Sequence, residues 1–273
     1  MQHYELTTPP ELRNMVSDCW FLEQNFGNDV SPFEVLPDGH TEIIFHFGSG
    51  LSRMKEGKLE SLPSPFLVGL LGHTVHFYAK DKLQIIGVKC YPWAIYDLLN
   101  LPSTKGGVQQ FEHPIAGLQT PLEQLLKNNQ INIALNLLLT WLKDSQAGVS
   151  RKSELLKAGN AMLNANGSLS ISSIAEAAHS TLRTLERKFK ASSGNTLQDV
   201  SGLIRFENAR DRLWSNPDTA VVGLAHELGY ADQSHLNRDF KRYIGMTASA
   251  FIKLIKKRKN TFGDNFVAIV LSS

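Results

Sequence analysis

Cysteine is scarce in this sequence: Cys19 and Cys90 are the only two in 273 residues, each lies among apolar or aromatic neighbours, and no CxxC spacing occurs. A disulfide scaffold and a thiolate zinc module are therefore excluded, and two buried free thiols are predicted. Long hydrophobic runs are missing as well. The longest apolar stretches, such as 266–271, fall far short of a membrane span, and the start MQHYELTTPPELRN lacks a basic segment leading into an apolar one. The expectation is a cytoplasmic protein with no membrane contact. No GxSxG, P-loop or HExxH motif is present, so the chemistries tied to them are not indicated, and neither a catalytic residue nor a cofactor is predicted.

Overall charge of one sign is also lacking, since the chain carries only +2, with 42% hydrophobic and 20% charged residues. These are ordinary globular values, and the length suggests two domains with separate cores. The balance hides an asymmetry: 1–167 carries 13 Lys and Arg against 16 Asp and Glu, a net of −3, whereas 168–260 carries 15 against 9, a net of +6, and the tail adds −1. A basic C-terminal part is suited to a polyanion.

The first 120 residues read as mostly β. Runs such as TEIIFHF (41–47), PFLVGLLG (65–72), TVHFYAK (74–80) and LQIIGVKCY (83–91) sit between Gly, Pro and Asp turns, the spacing of a barrel or sandwich. After Pro92, WAIYDLLNL turns helical and is stopped by Pro102. Residues 121–166 present three helical patterns, of which 131–142 is apolar around much of its circumference and needs cover from the β domain or from another subunit. Asn166-Gly167 is a helix stop. The predicted organisation is a sensor domain at 1–120, a helical linker or dimerisation region at 121–167, a DNA-binding domain at 168–260 and an apolar tail at 261–273. The tail, with FVAIVL, is expected to add a strand to a sheet or to dock between domains.

An internal repeat carries the functional reading. Residues 181–197 superpose without gaps on 232–248, an offset of 51, with six of 17 positions identical: Leu185/Leu236, Arg187/Arg238, Phe189/Phe240, Lys190/Lys241, Gly194/Gly245 and Thr196/Thr247. Each copy begins with a short apolar helix, at 171–178 or 221–228, then a turn, then a second helix with Thr181 or Asp232 placed to cap it. Leu185 and Phe189, like Leu236 and Phe240, are four apart and point inward, so the polar residues between them face out. The outward set is Arg183, Thr184, Arg187 and Lys188 in the first copy and Gln233, Ser234, Asn237 and Arg238 in the second. Such residue types read base edges in the major groove, while Lys188, Lys190, Lys241 and Arg242 suit phosphates. Between the copies, 197–215 reads as one helix of about 28 Å, close to the roughly 34 Å turn of DNA.

On these residues the chain resembles the AraC family of transcription regulators, from IAEAAHSTLRTLERKFKASSGNTL through LIRFENARDRL to GLAHELGYADQSHLNRDFKRYIGMTASAF. The resemblance implies two helix-turn-helix units joined by a long helix, with double-stranded DNA as partner. It places Arg183, Thr184, Glu186 and Arg187 at base-facing positions of the first unit, and Gln233, Ser234, Asn237 and Arg238 at those of the second. His179 departs from the family by standing where Gly is common, and Leu197 and Ala248 stand where Pro usually follows the GxT motif.

The N-terminal segments PDGHTEIIFHFG (37–48), LVGLLGHTVHFYAK and IIGVKCYPWAIYDLL resemble the atypical cupin-like domain found before some such regulators. The fold class this implies is α+β: a cupin-like β-barrel with packing helices, followed by an all-α DNA-binding domain. The resemblance further implies a small-molecule effector, whose binding residues the sequence does not name, and a homodimer. His40, Glu42, His46, His73 and His76 are the one cluster with metal-ligand chemistry, but the HxH-then-Glu arrangement is absent and no metal is predicted. Trp20, Phe45, Phe47, Phe77, Tyr78 and Trp93 are candidates for a pocket lining or for core. The competing reading is a cupin-type metal-dependent enzyme, or an alkyl-accepting DNA-repair protein, fused to the DNA-binding domain. The repair chemistry would need an activated cysteine, and neither Cys19 nor Cys90 lies in such a motif.

Overall fold

The longest strands arise where β-branched, aromatic and aliphatic residues cluster, and β9 (Lys82–Cys90) carries only one interior glycine, Gly87. The computed structural model describes residues 2–99, 101, 107–145, 153–262 and 269–271. Its strands are β1 (Gln2–Thr7), β2 (Val16–Asn25), β3 (Ser31–Val35), β4 (Thr41–Gly48), β5 (Ser52–Lys55), β6 (Lys58–Ser61), β7 (Phe66–Val68), β8 (Val75–Ala79), β9 (Lys82–Cys90), β10 (Val108–Gln109) and β11 (Ile269–Leu271). They form two antiparallel sheets, β1-β2-β9-β4-β7-β10 and β11-β3-β8-β5-β6.

Neither sheet closes, which corrects the expected cupin-like barrel. Among the described residues β1 pairs only with β2 and β10 only with β7, so the two end strands of the larger sheet do not meet. The chain instead changes sheet repeatedly, from β2 to β3, back at β4, across again at β5 and β6, and so on to β9. Residue alternation tells which side chains share a face of one strand, but not which strands pair, so the sequence pattern fits open and closed arrangements equally.

Both faces of the larger sheet are covered. Phe21, Ile43, Phe45, Phe47, Ile86 and Val88 belong to the core shared with the helices, whereas Trp20, Leu22, Ile44, Leu83 and Ile85 meet Phe33 and Phe77 of the smaller sheet. This double burial explains why TEIIFHF and LQIIGVKC read as nearly continuous apolar runs.

The helices are α1 (Ile95–Leu99), α2 (Gln119–Lys127), α3 (Ile131–Asp144), α4 (Glu154–Asn164), α5 (Ile171–Ala177), α6 (Leu182–Ser193), α7 (Leu197–Ser215), α8 (Val221–Glu227), α9 (Gln233–Ile244) and α10 (Ala248–Phe262). α3 packs on β2 and buries Ala134, Leu135, Leu138, Leu139 and Leu142, so the β domain itself covers most of the apolar helix, leaving Ile133 exposed on the far side. α4 starts after Ser153, whose hydroxyl accepts the Leu156 N–H, and packs on α5, α6 and α7. It thus contacts the helices of the C-terminal part. In the tail, β11 runs antiparallel to β3, with Ile269 opposite Val35 and Leu271 opposite Phe33. Among the described residues no helix is long and apolar enough to cross a membrane.

Candidate functional site

The two copies of the repeat fold alike. Thr181 starts α6 by accepting the Thr184 N–H, and Asp232 starts α9 by accepting the His235 N–H. The turn before each helix passes through the left-handed region, at His179 with φ 52° and at Gly229 with φ 74°. A side chain there costs on the order of 1 kcal/mol, so the histidine strains the first turn. α6 and α9 end on Gly194 and Gly245, whose N–H groups bond the Lys190 and Lys241 carbonyls.

Leu185, Phe189, Leu236 and Phe240 are fully buried. Arg183, Arg187 and Lys190 are exposed on α6, and Ser234, Arg238, Lys241 and Arg242 on α9, while Thr184, Lys188 and Gln233 are half-buried. Arg183, Arg187, Lys190, Arg238 and Lys241 enter no ion pair among the described residues. Lys188 is engaged, its Nζ 2.9 Å from Glu154 on α4, and Arg242 lies 2.9 Å from Asp199 on α7.

Glu186 and Asn237 differ from the rest of the expected base-facing set. Both are half-buried. The Leu197 N–H donates to Glu186 Oε2 at 3.4 Å and the Ala248 N–H donates to Asn237 Oδ1 at 3.0 Å. Each side chain thus turns back to satisfy the free N–H at the start of the next helix. Proline at 197 or 248 would have no hydrogen to give, so the two departures from the family pattern and the inward turn of Glu186 and Asn237 form one arrangement.

α7 holds the units apart. Its N-terminus carries a capping box between Thr196 and Asp199, and Arg205 lies 4.7 Å over the Tyr230 ring of the second unit. Phe206 packs on Phe240 and Tyr243.

α7 also meets the β domain. Gly39 N–H donates to Glu207 Oε2 at 3.1 Å, Arg210 Nη1 donates to the Pro37 carbonyl at 2.6 Å, and His40 Nδ1 is 3.4 Å from Glu207 Oε1. A Cβ on Gly39 would lie 2.7 Å from Glu207 Oε2, so a larger residue there would displace this carboxylate. Lys89 Nζ is 3.4 Å from Asp38 Oδ2, and Arg210 Nε is 2.8 Å from Asp211 Oδ1. Burial alone would lower the His40 pKa, but Glu207 and Asp38 outweigh it and raise the group to about 9. Burial likewise opposes ionisation of Glu207, yet His40, Arg210 and Lys89 hold its pKa down at about 2. Glu42 has no such close partner, and burial together with Asp38 and Asp18 pushes its carboxyl up to about 8 against the pull of Lys89 and His40.

These charges close one end of a cavity of about 220 Å3 between the two sheets. Its walls include Trp20, Phe33, Phe66, Phe77 and Ile85, and its polar end holds Asp38, Glu42, Lys89, Glu207 and Arg210. Of the aromatic candidates, Trp20 and Phe77 line this space; Phe45 and Phe47 are core on the opposite face of the sheet. Trp93 lies at the domain junction, stacked on Tyr91, 6.2 Å from the Phe189 ring and against Gly159 of α4.

The histidine cluster expected from sequence is dispersed. His46 contacts the Leu62 and Pro63 carbonyls, His76 pairs with Glu34, and His73 lies near Tyr243 of the second unit. Asp38, His40 and Glu207 do bring ligand-type atoms within 4.8 Å of one another. Lys89 and Arg210 already meet that negative charge, which makes the group an ionic cluster rather than a cation site. Cys19 and Cys90 are fully buried and burial pushes both thiols up, the reverse of what a nucleophile needs. Lys89, Glu207 and Arg210 were missed in the sequence; the signals were a lysine inside the apolar run LQIIGVKCY and an acid-base pair three apart in the spacer helix.

Residues 174–254 match the family model of a helix-turn-helix domain, and residues 4–108 match that of a domain of unknown function, DUF6597. No curated protein matches the chain. Solved structures that resemble it include ToxT from Vibrio cholerae O395, 13% identical over 86% of this chain and 98% of that one, with a TM-score of 0.46. The C-terminal domain of AraT, a response regulator from Geobacillus stearothermophilus, is 22% identical over 38% and 88%, with a TM-score of 0.35. The transcriptional regulator CdpR from Pseudomonas aeruginosa is 16% identical over 64% and 46%, with a TM-score of 0.33. The chain thus joins a C-terminal helix-turn-helix domain to a separate N-terminal domain.

Proposed function

We propose that this protein is a sequence-specific, DNA-binding transcription regulator controlled by a small-molecule effector in the cavity between the sheets. The observation that carries the reading is the duplicated unit: α6 and α9 share capping, buried pairs and C-terminal glycines, and both present unpaired arginine and lysine to solvent. Set on a spacer of about 28 Å, the two helices suit successive major grooves on one face of DNA. Arg183, Thr184, Arg187, Gln233, Ser234 and Arg238 then face bases, with Lys190 and Lys241 on phosphates. Lys188 and Arg242 reach phosphate by releasing Glu154 and Asp199, and Glu186 and Asn237 act chiefly by holding the next helix.

The effector reading rests on the cavity's polar end, which is built partly from α7, so an occupant touches the element that spaces the two units. The regulator acts in the cytoplasm as a homodimer, with exposed Ile133 of α3 in its contact surface. Footprinting on selected operator fragments tests the DNA reading: two protected major-groove patches about 10 base pairs apart are expected for each protein copy. A single patch, or none, contradicts it. Sedimentation tests the dimer.

A further inference from the structure

We propose that the cavity between the sheets takes an uncharged amphiphile whose head carries a hydrogen-bond acceptor beside a donor, as a primary amide does, and that this head pairs with the carboxyl group of Glu42. This rests on reading the cavity as the effector site, and adds the chemical class of the occupant. Charge is already balanced at the polar end. Lys89 lies 3.4 Å from Asp38, His40 3.4 Å from Glu207 and Arg210 2.8 Å from Asp211, so each of these cations has an acid beside it. On the β1 side of the space, His3 faces Glu5 at 3.6 Å. An anionic head would enter with no free cation to meet it, and a cationic head with no free carboxylate. Either would give up its hydration without a counterion, which is unfavourable inside a protein.

Glu42 is the polar group left over. It stands on β4 opposite Lys89 of β9, lines the cavity, is half-buried, and makes no hydrogen bond or ion pair among the described residues. Burial, with Asp38 and Asp18, keeps its carboxyl protonated to about pH 8 against the pull of Lys89 and His40. A neutral carboxyl offers one O–H donor and one carbonyl acceptor side by side. A primary or cyclic amide presents the converse pair at the same spacing, so two hydrogen bonds form together and neither partner has to ionise. A ketone or ether would satisfy only the donor and leave the acceptor unmet. Ile44, the next residue on the same face of β4, continues the wall with Phe33, Phe66, Phe77 and Ile85, apolar surface suited to a ring or short hydrocarbon.

Glu207 and Arg210 of α7 line the same end of the space as Glu42. An occupant whose head displaces them alters the contact between α7 and the β domain and so the DNA affinity, and by reciprocity DNA alters its affinity by the same factor.

Three probes with one body and different heads decide the matter: 3-phenylpropanamide, 3-phenylpropionate and 3-phenylpropylamine, titrated by calorimetry into the full-length protein at mildly acidic pH without DNA. The amide should bind at least tenfold tighter than either charged probe. Glu42→Gln, a neutral side chain that keeps an acceptor beside a donor, should hold the amide close to its parent affinity, whereas Glu42→Leu should lose at least tenfold. A smaller preference for the amide, a loss in Glu42→Gln as large as in Glu42→Leu, an amide affinity unmoved by Glu42→Leu, or no amide binding at millimolar concentration overturns the proposal. Val68→Phe, which narrows the cavity, separates the two levels: probes that bind without head preference but are expelled by this variant leave the cavity as the effector site, whereas probes indifferent to it remove that reading as well.

Discussion

His40 Nδ1 stands 3.4 Å from Glu207 Oε1, and this contact ties the loop before β4 to the helix between the two helix-turn-helix units. The same carboxylate accepts the Gly39 N–H and faces Arg210. Removing one member of a buried charge group leaves the others uncompensated, at a cost of about 3–5 kcal/mol. Glu207→Ala should therefore lower the melting temperature by about 10 °C. Glu207→Gln, which keeps an acceptor for Gly39, should lose less. Thermal unfolding of both variants checks this ordering, and equal losses would contradict it.

The same cluster sets a pH dependence. His40 is raised to about 9 in the fold, so its contribution is complete below its ordinary pKa near 6.5 and is lost as pH rises through 9. Glu42, raised to about 8, acts in the same direction, because the fold favours its neutral form and loses stability as pH climbs from about 4.5 through 8. Glu207, held at about 2, stabilises above about 4.5 and loses this as pH falls through 2. Stability should peak near pH 5 and decline toward 9, with His40→Gln flattening the upper part of the slope. A melting temperature constant from pH 5 to 9 would contradict the assignment.

On the DNA face, Arg187→Ala and Arg238→Ala should each weaken binding to the preferred operator by about 1–3 kcal/mol while sparing unrelated sequences. Lys190→Ala and Lys241→Ala should weaken all sequences alike and reduce the salt slope by about one. Quantitative gel-shift titrations at several salt concentrations separate the two behaviours. If arginine and lysine variants behave identically, the division into base and phosphate contacts fails.

Glu186 and Asn237 should respond differently from those residues. Because each accepts the first N–H of the following helix, Glu186→Ala and Asn237→Ala should cost about 1 kcal/mol of stability even without DNA. Glu186→Gln and Asn237→Asp keep the acceptor and should retain most of it. Urea unfolding measures this, and alanine variants as stable as the parent would return both residues to the DNA face alone.

Much of the C-terminal half was legible because its determinants are local. The spacer at 197–215 coincides with α7, and Thr181 and Asp232 cap the helices for which their side chains are suited. The turn at His179 was legible only through the family resemblance, where Gly is common; Gly229 takes the corresponding left-handed position in the second copy. Glu186 was less legible: its spacing puts it near the outward stripe, but where it points depends on the Leu197 N–H, which reaches it only after the chain has turned at Gly194.

What the sequence by itself determined is therefore the duplicated helix-turn-helix unit, whose periodicity, caps and glycines act within a few residues of one another. Only the tertiary structure decided that the β strands form two open sheets, because strand pairing depends on partners distant in the chain and leaves no mark on residue alternation. It also decided the charged end of the cavity: Asp38 and Glu207 are separated by most of the molecule in sequence, and the ionisation of His40, Glu42 and Glu207 follows from neighbours that burial brings together.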